Sequence, residues 1–519
     1  MKGQMIKSIK SKSKNILIVT SLILICFNTG LTNSQIAENS SINFNGDVKF
    51  IEFNCSNAGA TIKPFSEINC GPINLVEGGA DLTIQYREIG INFIRTHDFS
   101  GPTDVSTIFP NWSKSAYEEN SYNFTSTDEV ISSIIGSGAK VFYRLGESAS
   151  TNKSLRNIPP DFFKWAEICK HIVIHYNNGW DNGFYYNITH WEIWNEPDLQ
   201  GFWNGSYQDY YLIYNITSNK LKKYNQSLKI GGPCTSSIEN INFTTGFLDY
   251  IVNENLTLDF YSWHRYTNSP YELYWGSLFI RNLLDTYGFI SCENINTEWN
   301  YDILSPQRDK DNAKNAAFTA SSLILLQDSG LNYAFRYRGT QDNSWLGRLL
   351  GFDLSLFSFD GLYKTPVLVY RALNYLIKDT PIRITTSSEE IEDGISYLAG
   401  ISDDDKSISI LISNFDNPDT SIQLKISNLP LEKSFRVVDY LIDDISHFEI
   451  TSEDSYCQNE FNYTFLLESN TVHFLRLTNS TSIPDEGPSV APIPMILQLR
   501  ILDPLIRIMA IFIFLTLFG

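Results

Sequence analysis

Two glutamates in this chain have the surroundings that acid–base chemistry on a sugar requires. Glu196 follows an apolar run and lies between Asn195 and Pro197 in HWEIWNEPD, and Glu298 follows a strand-like stretch in ENINTEWN. Retaining cleavage of a glycosidic bond uses two carboxyl groups about 5 to 5.5 Å apart, one as proton donor and one as nucleophile. Apolar surroundings raise the pKa of a carboxyl group and hydrogen bonds to the carboxylate lower it, so such a pair can hold one protonated and one ionised member.

The elements that position these glutamates follow from the hydrophobic pattern. From about residue 48 to 380, short β-branched runs alternate with longer amphipathic segments. This alternation predicts parallel βα units, and thus an α/β fold of the (β/α)8 TIM barrel type. Seven predicted strands are INFIRT, KVFYRL, ITHWEIW, LKIGG, LDFYSWH, ENINTEW and LNYAFRY, with an eighth near VKFIEF or GPINL. Glu196 and Glu298 then follow or end strands, at the face where such barrels carry catalytic groups.

The pattern changes after the predicted barrel. Residues 381–478 contain short alternating runs such as SISILISNFD and SIQLKISNL, separated by Asp, Asn, Gly and Pro turns, without a helix-length pattern. This is typical of an antiparallel β-sandwich. Its runs carry no constellation that suggests chemistry, so we predict a C-terminal domain that supports the barrel.

The same stretches resemble a known family. WEIWNEPDLQGFW resembles the acid/base signature of glycoside hydrolase family 39, within clan A of the retaining (β/α)8 glycosidases, and TEWN resembles its nucleophile segment. IGINFIRTHD, DFYSWHRY and GFDLSLFSFDGLYKTPVLVYRALNYL extend the similarity. The resemblance implies that Glu196 is the general acid/base and Glu298 the nucleophile of a double displacement.

The resemblance also implies residues that hold the sugar. Asn195 would hydrogen-bond the sugar 2-hydroxyl, and His97, His264 and Tyr266 match positions that line the sugar pocket or hold the nucleophile. Independently of the family, aromatic rings close in sequence to the glutamates are expected to stack on sugar faces. These rings belong to Trp194, Trp203 and Trp299.

Two further glutamates need no catalytic role. Glu192 lies two residues inside the predicted strand that leads to Glu196, and we expect it to pair with a buried arginine such as Arg95 or Arg144. Glu147 ends another predicted strand, where it would either touch substrate or face a loop.

The sequence leaves the sugar open. The resemblance points to a β-xylosidase or an α-L-iduronidase-like enzyme, and the shared motifs do not choose between them. Arg336 and Arg338 in NYAFRYRGT depart from the family pattern, and they would either clamp a uronate or pair with acids of the chain. The alternatives are a catalytically inactive cell-surface glycan-binding protein, or another clan A glycosidase such as a glucosidase or a glucuronidase.

Both ends of the chain carry targeting patterns. Residues 1–35 place lysines before a short apolar run and then small polar residues, which predicts a secretory signal peptide. Residues 479–519 pass from a Pro/Ser spacer to a hydrophobic tail that resembles a glycolipid-anchor signal. Many Asn-x-Ser/Thr sequons fit a glycoprotein. We expect a secreted or cell-surface protein, with membrane attachment through the tail and a lysosomal destination as open alternatives.

The net charge and the cysteine spacing bear on which partners and metal sites the chain can have. The formal net charge of -19 gives no electrostatic reason to expect nucleic acid as a partner. Six cysteines lie beyond Cys26 of the predicted signal, without metal-ligand spacing, so we expect disulfides or buried thiols and no zinc site. Cys55 with Cys70 is the first expected pair. The sequence predicts no cofactor, a glycoside or oligosaccharide as substrate partner, and nothing about oligomeric state.

Overall fold

The computed structural model describes most of the chain between its two terminal segments. The described residues are 48–98, 101–148, 157–340, 351–386, 394–457 and 460–479. The predicted signal peptide (residues 1–35) lies outside them, as does the predicted spacer and tail (479–519) apart from Asn479. Within the described part, no helix is both long and apolar enough to cross a membrane.

Strands and helices alternate in the first part of the described chain, and strands dominate the last part. The strands are β1 (Val48–Asn54), β2 (Ala58–Thr61), β3 (Glu67–Asn69), β4 (Phe93–Arg95), β5 (Lys140–Leu145), β6 (His190–Ile193), β7 (Lys229–Thr235), β8 (Phe260–Thr267), β9 (Glu293–Tyr301), β10 (Tyr333–Arg336), β11 (Ile382–Ile384), β12 (Ile395–Ile401), β13 (Ser407–Asn414), β14 (Thr420–Ser427), β15 (Ser434–Ile442), β16 (His447–Cys457), β17 (Phe461–Leu467) and β18 (Thr471–Asn479). The α-helices are α1 (Thr83–Glu88), α2 (Val105–Ile108), α3 (Thr125–Gly136), α4 (Phe162–Asn178), α5 (Tyr207–Tyr224), α6 (Ile241–Asn253), α7 (Pro270–Thr286), α8 (Gln307–Asp311), α9 (Ala313–Leu325) and α10 (Val367–Asp379).

The central eight strands close a parallel barrel, as the sequence predicts. Their order is β10-β3-β4-β5-β6-β7-β8-β9, and Phe335 of β10 pairs with Glu67 of β3 to close it. Five large side chains pack together inside the barrel: Phe93, Phe142, Phe260, Ile295 and Phe335. The barrel interior is therefore a packed core, and ligands are restricted to its mouth.

The helices around the barrel begin and end where the sequence provides caps. Helix α5 starts with a capping box, because Ser206 and Asp209 each accept a hydrogen bond from the other's backbone N–H. Helix α4 begins after Asp161, which accepts from the backbone of Lys164, and ends at Gly179 in the left-handed conformation. Helix α5 also contacts the end of β6, because the Tyr210 hydroxyl donates to the Ile193 carbonyl at 2.9 Å.

The first barrel strand lies next to GPINL, one of the two segments near which the sequence predicts it, and not at VKFIEF. It is the three-residue strand β3, whereas VKFIEF forms β1, which pairs in parallel with β14 of the C-terminal domain. In β1 only Ile51 and Phe53 are buried, and they alternate with exposed residues. A strand covered on one face suits a sandwich, while a strand of a parallel barrel is buried on both faces. Residues 48–61 thus join the sandwich.

The C-terminal part is the predicted β-sandwich. A seven-stranded sheet has the order β16-β15-β18-β13-β12-β11-β2, and a three-stranded sheet has the order β1-β14-β17. Helix α9 lies between barrel and sandwich, where the Ser413 hydroxyl donates to the Ala317 carbonyl (2.9 Å) and Phe415 packs edge-on against Phe318. The sandwich therefore covers a helix of the barrel.

The expected Cys55–Cys70 disulfide is absent. All six cysteines of the described residues are free thiols, and five of them are buried. Cys55 belongs to the sandwich core, whereas Cys70 follows β3 of the barrel and donates from its thiol to the His97 carbonyl at 3.3 Å. The pair cannot form because the two residues belong to different cores, and the other expectation, buried thiols, is the one that holds.

Candidate active site

Glu196 lies just beyond the carboxyl end of β6, on a sharply turned backbone. Trp194 and Glu196 both have positive φ angles, 75° and 46°, which are rare for residues with side chains. The Glu196 N–H donates to the Cys234 carbonyl at 3.0 Å, which ties the turn to β7. Strain of this kind concentrates at functional sites, where the surrounding structure holds it in place. The turn directs the Glu196 carboxyl group to His264, whose Nδ1 lies 2.8 Å from Oε1.

The surroundings of Glu196 favour its protonated form. The residue is 8% exposed. Burial first, and then the charge of Asp198, raise the pKa of Glu196 to about 8, while Arg95 opposes them. At neutral pH this carboxyl group therefore carries the proton that a general acid must deliver.

Glu298 is set among hydrogen-bond donors. Arg95 donates from Nη1 to Oε1 at 2.8 Å, and the Tyr266 hydroxyl donates to Oε2 at 2.6 Å. His97 Nε2 lies 3.5 Å from Oε1, and His264 Nδ1 lies 3.7 Å from Oε2. The guanidinium balances the negative charge of the carboxylate, as a nucleophile in a buried site requires.

The two carboxyl groups have the spacing of a retaining pair. One carboxylate oxygen of Glu196, one of Glu298 and a ring nitrogen of His264 all lie within 4.8 Å of one another. Retaining enzymes hold their carboxyl groups about 5 to 5.5 Å apart, and inverting enzymes about 6.5 to 9.5 Å. The same trio has the composition of a cation site, but Arg95 already compensates Glu298, and we assign no metal.

Asn195 is oriented with its amide nitrogen uncommitted. Its Oδ1 accepts a hydrogen bond from Arg95 Nη2 at 2.8 Å, which leaves Nδ2 buried and without a partner among the described residues. A buried donor without a partner is unfavourable unless a ligand satisfies it. This arrangement fits the predicted hydrogen bond to a sugar hydroxyl.

The predicted residues His97, His264 and Tyr266 are brought to the two glutamates. All three contact Glu298, and His264 also contacts Glu196. Burial, followed by the charges of Arg95 and other neighbouring cations, holds the pKa of His97 well below its usual range, so this ring is neutral. Sequence reasoning thus found residues that the structure groups around one point.

The tryptophans do not lie where the sequence suggested. Trp299 is fully buried, its Nε1 donates to the Ala334 carbonyl at 3.1 Å, and the Arg336 guanidinium lies 4.6 Å from its ring. Because side chains alternate along β9, Glu298 points into the barrel mouth and Trp299 points away from it. Trp203 is also buried, with its ring edge-on to Trp194 at 4.9 Å. These rings pack against protein, which leaves no face for a sugar.

The two arginines at the end of β10 have different surroundings, since Arg336 ends the strand and Arg338 lies two residues beyond it. Arg336 is buried between barrel and helix α9, where it donates to Thr319 Oγ1 at 3.0 Å and Asn315 Oδ1 at 2.9 Å. Arg338 lies on the site side, because its guanidinium is 5.8 Å from the ring centre of Tyr337, which in turn is 6.0 Å from that of His97. Of the predicted clamp, only Arg338 is close to the candidate site.

The remaining glutamates have the expected structural partners. Glu192 lies 2.7 Å from the Arg95 guanidinium, which confirms the predicted pairing. Glu147 accepts hydrogen bonds from the Ser106 backbone and hydroxyl, at 3.0 and 2.5 Å. Burial, followed by the charge of Asp104, raises the pKa of Glu147 to about 8. Its partner is thus Ser106, in the first turn of α2.

Sequence reasoning missed three residues of this site. Arg95 was expected only as a partner of Glu192, yet it contacts Glu298 and Asn195 as well. Tyr337, which follows β10, places its ring centre 6.0 Å from that of His97 and 6.2 Å from that of Tyr266. Cys234 follows a Gly-Gly-Pro run at the end of β7. The position of each residue at a strand end was the available signal.

The family of the chain follows from comparison with known proteins. The family model described as "Glycosyl hydrolases family 39" matches residues 79–343, just over half of the chain. The chain belongs to glycoside hydrolase family 39. The matched segment contains Glu196 and Glu298. It also contains the residues that contact them: Arg95, His97, His264 and Tyr266. The family resemblance predicted from the sequence is confirmed.

Individual proteins that resemble the chain have low sequence identity to it. A β-xylosidase of Geobacillus stearothermophilus is 28% identical over 202 residues, which span 36% of this chain and 38% of the relative. A glucosidase from Croceicoccus marinus has a crystal structure that superposes with a TM-score of 0.73 at 22% identity, covering 84% of this chain and 99% of the other. A monomeric β-xylosidase from Caulobacter crescentus superposes with a TM-score of 0.65 at 15% identity, over 83% and 100%. The structures share the fold of this family 39 chain.

Proposed function

We propose that this family 39 chain is a retaining O-glycoside hydrolase that acts by double displacement. The observation that carries the proposal is the placement of Glu196 and Glu298, which have carboxylate oxygens within 4.8 Å of one another. Their surroundings differ as the mechanism requires, since burial favours the neutral form of Glu196 and Arg95 compensates the charge of Glu298. The two glutamates therefore have distinct roles.

In the first step Glu298 forms a bond to the anomeric carbon. A carboxylate oxygen of Glu298 attacks this carbon while its bond to the leaving oxygen breaks, and Glu196 gives its proton to that oxygen. Asn195 Nδ2 is free to donate to a sugar hydroxyl, a contact that strengthens as positive charge develops on the ring. The products are a glycosyl ester of Glu298 and a free alcohol.

In the second step water hydrolyses the ester from the face of the sugar that the leaving group occupied. Glu196, now a carboxylate, takes a proton from water as the water oxygen attacks the anomeric carbon, and Glu298 leaves as a carboxylate. Two inversions restore the original configuration. Glu196 regains its proton and both residues return to their starting states.

For the substrate we propose a β-xyloside first. Two relatives with sequence similarity, from Geobacillus stearothermophilus and Caldicellulosiruptor saccharolyticus, are named β-xylosidases. An α-L-iduronide is the second candidate, because Arg338 supplies a cation on the site side, where it could face a uronate. A glucoside is the third candidate, because the chain shares its fold with the glucosidase from Croceicoccus marinus.

A panel of aryl glycosides tests this proposal. β-Xyloside, β-glucoside, α-L-iduronide and β-glucuronide are incubated with the purified protein, with Glu298→Gln as the matched control that keeps the side-chain shape. We expect release of one sugar by the wild-type protein only. Binding of a glycan without turnover in both proteins would instead support the inactive glycan-binding alternative.

We further propose that the chain enters the secretory pathway, to be secreted or tethered at the cell surface, with a lysosomal destination as the alternative. The lysine-led apolar segment in residues 1–35 and the hydrophobic end of residues 479–519 support this route. Several sequon asparagines are also exposed, as glycan attachment requires: Asn111, Asn123, Asn187, Asn204, Asn225, Asn242, Asn255 and Asn462. Treatment of cells with a phospholipase that cleaves glycolipid anchors would release a tethered form and leave a secreted form unchanged.

A further inference from the structure

A buried thiol lies at the centre of the contacts that hold both glutamates. Cys234, near the carboxyl end of β7, has no exposed surface and a left-handed φ of 59°. Its sulfur lies 3.0 Å from Arg95 Nη2, 3.0 Å from His264 Nε2 and 3.5 Å from Asn195 Oδ1. Thr297 Oγ1 lies 3.6 Å away. Cys234 thus contacts three residues of the site. Arg95 donates to Glu298, His264 contacts Glu196, and Asn195 directly precedes Glu196 in the sequence.

The hydrogen-bonding capacity of the thiol is filled when it donates to one partner and accepts from two. A guanidinium can only donate, so Arg95 uses one acceptor position of the sulfur. The thiol proton has two nearby acceptors, Asn195 Oδ1 and an unprotonated His264 Nε2, and we assign it to Asn195 Oδ1, which accepts in either tautomer of His264. The second acceptor position is then left for His264, which donates from Nε2. This arrangement uses the single proton and both acceptor positions of the thiol.

The tautomer of His264 decides what it offers to Glu196. Burial lowers the pKa of His264, so the ring is neutral and carries one proton. If that proton is on Nε2, then Nδ1 is an acceptor, and it lies 2.8 Å from Glu196 Oε1. An acceptor at this position stabilises the protonated carboxyl group, whereas a donor would stabilise the carboxylate.

We propose that Cys234 is a positioning residue that fixes His264 as the Nε2–H tautomer and thereby keeps Glu196 in its proton-donating form. This inference rests on the proposed glycosidase function and deepens it. The thiol touches neither substrate nor reacting atoms, and it acts through His264. Burial raises the pKa of the Cys234 thiol well above its usual value, so the thiol remains protonated as this arrangement needs.

Other titratable groups face this cluster from the neighbouring elements. They are Arg95 and His97 from the end of β4, Glu192 and Asp198 from β6 and the loop after it, Tyr266 from β8, and Glu298 from β9. The buried phenols of Tyr210 and Tyr261 remain neutral because burial raises their pKa values. Every one of these groups is retained when only Cys234 is changed.

The test compares pH profiles of kcat/KM for the wild-type protein, Cys234→Ala and Cys234→Ser. Loss of the sulfur releases the Nδ1–H tautomer of His264, so we expect the alkaline limb of Cys234→Ala to move down by about one pH unit. A serine hydroxyl has one proton and two acceptor positions, so Cys234→Ser should keep the wild-type limb within about 0.3 units. Cys169→Ala, at another fully buried thiol in α4, is the matched control and should match the wild type.

The outcomes separate the two proposals. An alkaline limb that stays in place in Cys234→Ala, or shifts upward, overturns the positioning role while the glycosidase function stands. Absence of turnover in the wild type overturns the function itself. A measurement that does not need turnover is the nitrogen-15 chemical shifts of the His264 ring in the wild type, assigned with His264→Gln. Protonated Nε2 supports the role of Cys234, and protonated Nδ1 rejects it even if Cys234→Ala does not fold.

Discussion

The two ends of the barrel use the same strands for opposite purposes. At the carboxyl ends, Arg95 and Glu298 meet around a site that has a buried amide nitrogen without a partner among the described residues. Toward the amino ends, Phe93, Phe142 and Phe335 pack ring against ring, with centres 4.9 to 5.6 Å apart. Charge is concentrated where chemistry is needed, and apolar packing provides the rigidity that holds the charges in place.

The largest effect should come from removing the nucleophile at the carboxyl end. Glu298→Ala is expected to lower kcat/KM by about 10⁴-fold or more, because no other group can form the glycosyl ester. Added azide should restore part of the activity and give a product of inverted configuration, since it attacks once from the open face. The product anomer, identified by proton NMR, checks this. Activity within about tenfold of the wild type would reject the nucleophile assignment.

Removing the proton donor should have a smaller and substrate-dependent effect. For Glu196→Ala we expect a loss of about 10² to 10⁴-fold with glycosides of poor leaving groups, and a much smaller loss of the first step with activated aryl glycosides. The reason is that only a poor leaving oxygen needs the proton. A Brønsted plot of rate against leaving-group pKa measures the difference. Equal losses for all leaving groups would contradict the acid role.

The pH profile of the unchanged protein reports the same residue. The proton of Glu196 is needed for activity, and its pKa is raised to about 8, so kcat/KM should fall as the pH rises through about 8. One unit above this value the loss should be about tenfold. Steady-state kinetics across pH 5 to 10 would check it. A limb below about pH 6 would show that burial does not favour the neutral acid.

The smallest effect on catalysis is expected from the opposite end of the barrel. Phe142→Ala should lower the free energy of unfolding by about 3 to 5 kcal/mol, because it leaves a cavity among the core rings. The kcat/KM of the folded variant should stay within about twofold of the wild type. Denaturant titration and kinetics below the unfolding transition measure the two quantities. A large loss of kcat/KM in the folded protein would mean that the two ends are not independent.

Local pattern was enough to predict part of the site. The placement of Glu196 just beyond β6, and of Glu298 in the carboxyl-terminal half of β9, followed from strand and helix alternation together with the family resemblance. Trp299 was misplaced although the alternation along β9, which directs Glu298 inward, also directs its neighbour outward. Here the alternation along β9 indicated the direction of the Trp299 side chain, whereas its aromatic type did not.

Other features could not be read from local pattern. The contacts of Arg95 and Cys234 depend on how β4, β7 and β8 meet around the barrel, which involves residues more than a hundred positions apart. The first barrel strand has only three residues, Glu67–Asn69, and so has too short an alternation to recognise. Because β1 is an alternating run, its pattern predicts a strand but not the sheet that it joins.

The strands that precede the barrel change how the chain should be viewed as a whole. Strand β2 lies beside β11, and the Ile62 N–H donates to the Pro381 carbonyl at 3.0 Å, so the barrel segment starts and ends at neighbouring points of one sheet. In topological terms, the catalytic barrel is a very long insertion between two adjacent strands of the sandwich. During synthesis β1 and β2 emerge first, but their partners β14 and β11 emerge only after the whole barrel. The two sheets of the sandwich are thus completed only when strands from the beginning and the end of the described chain pair.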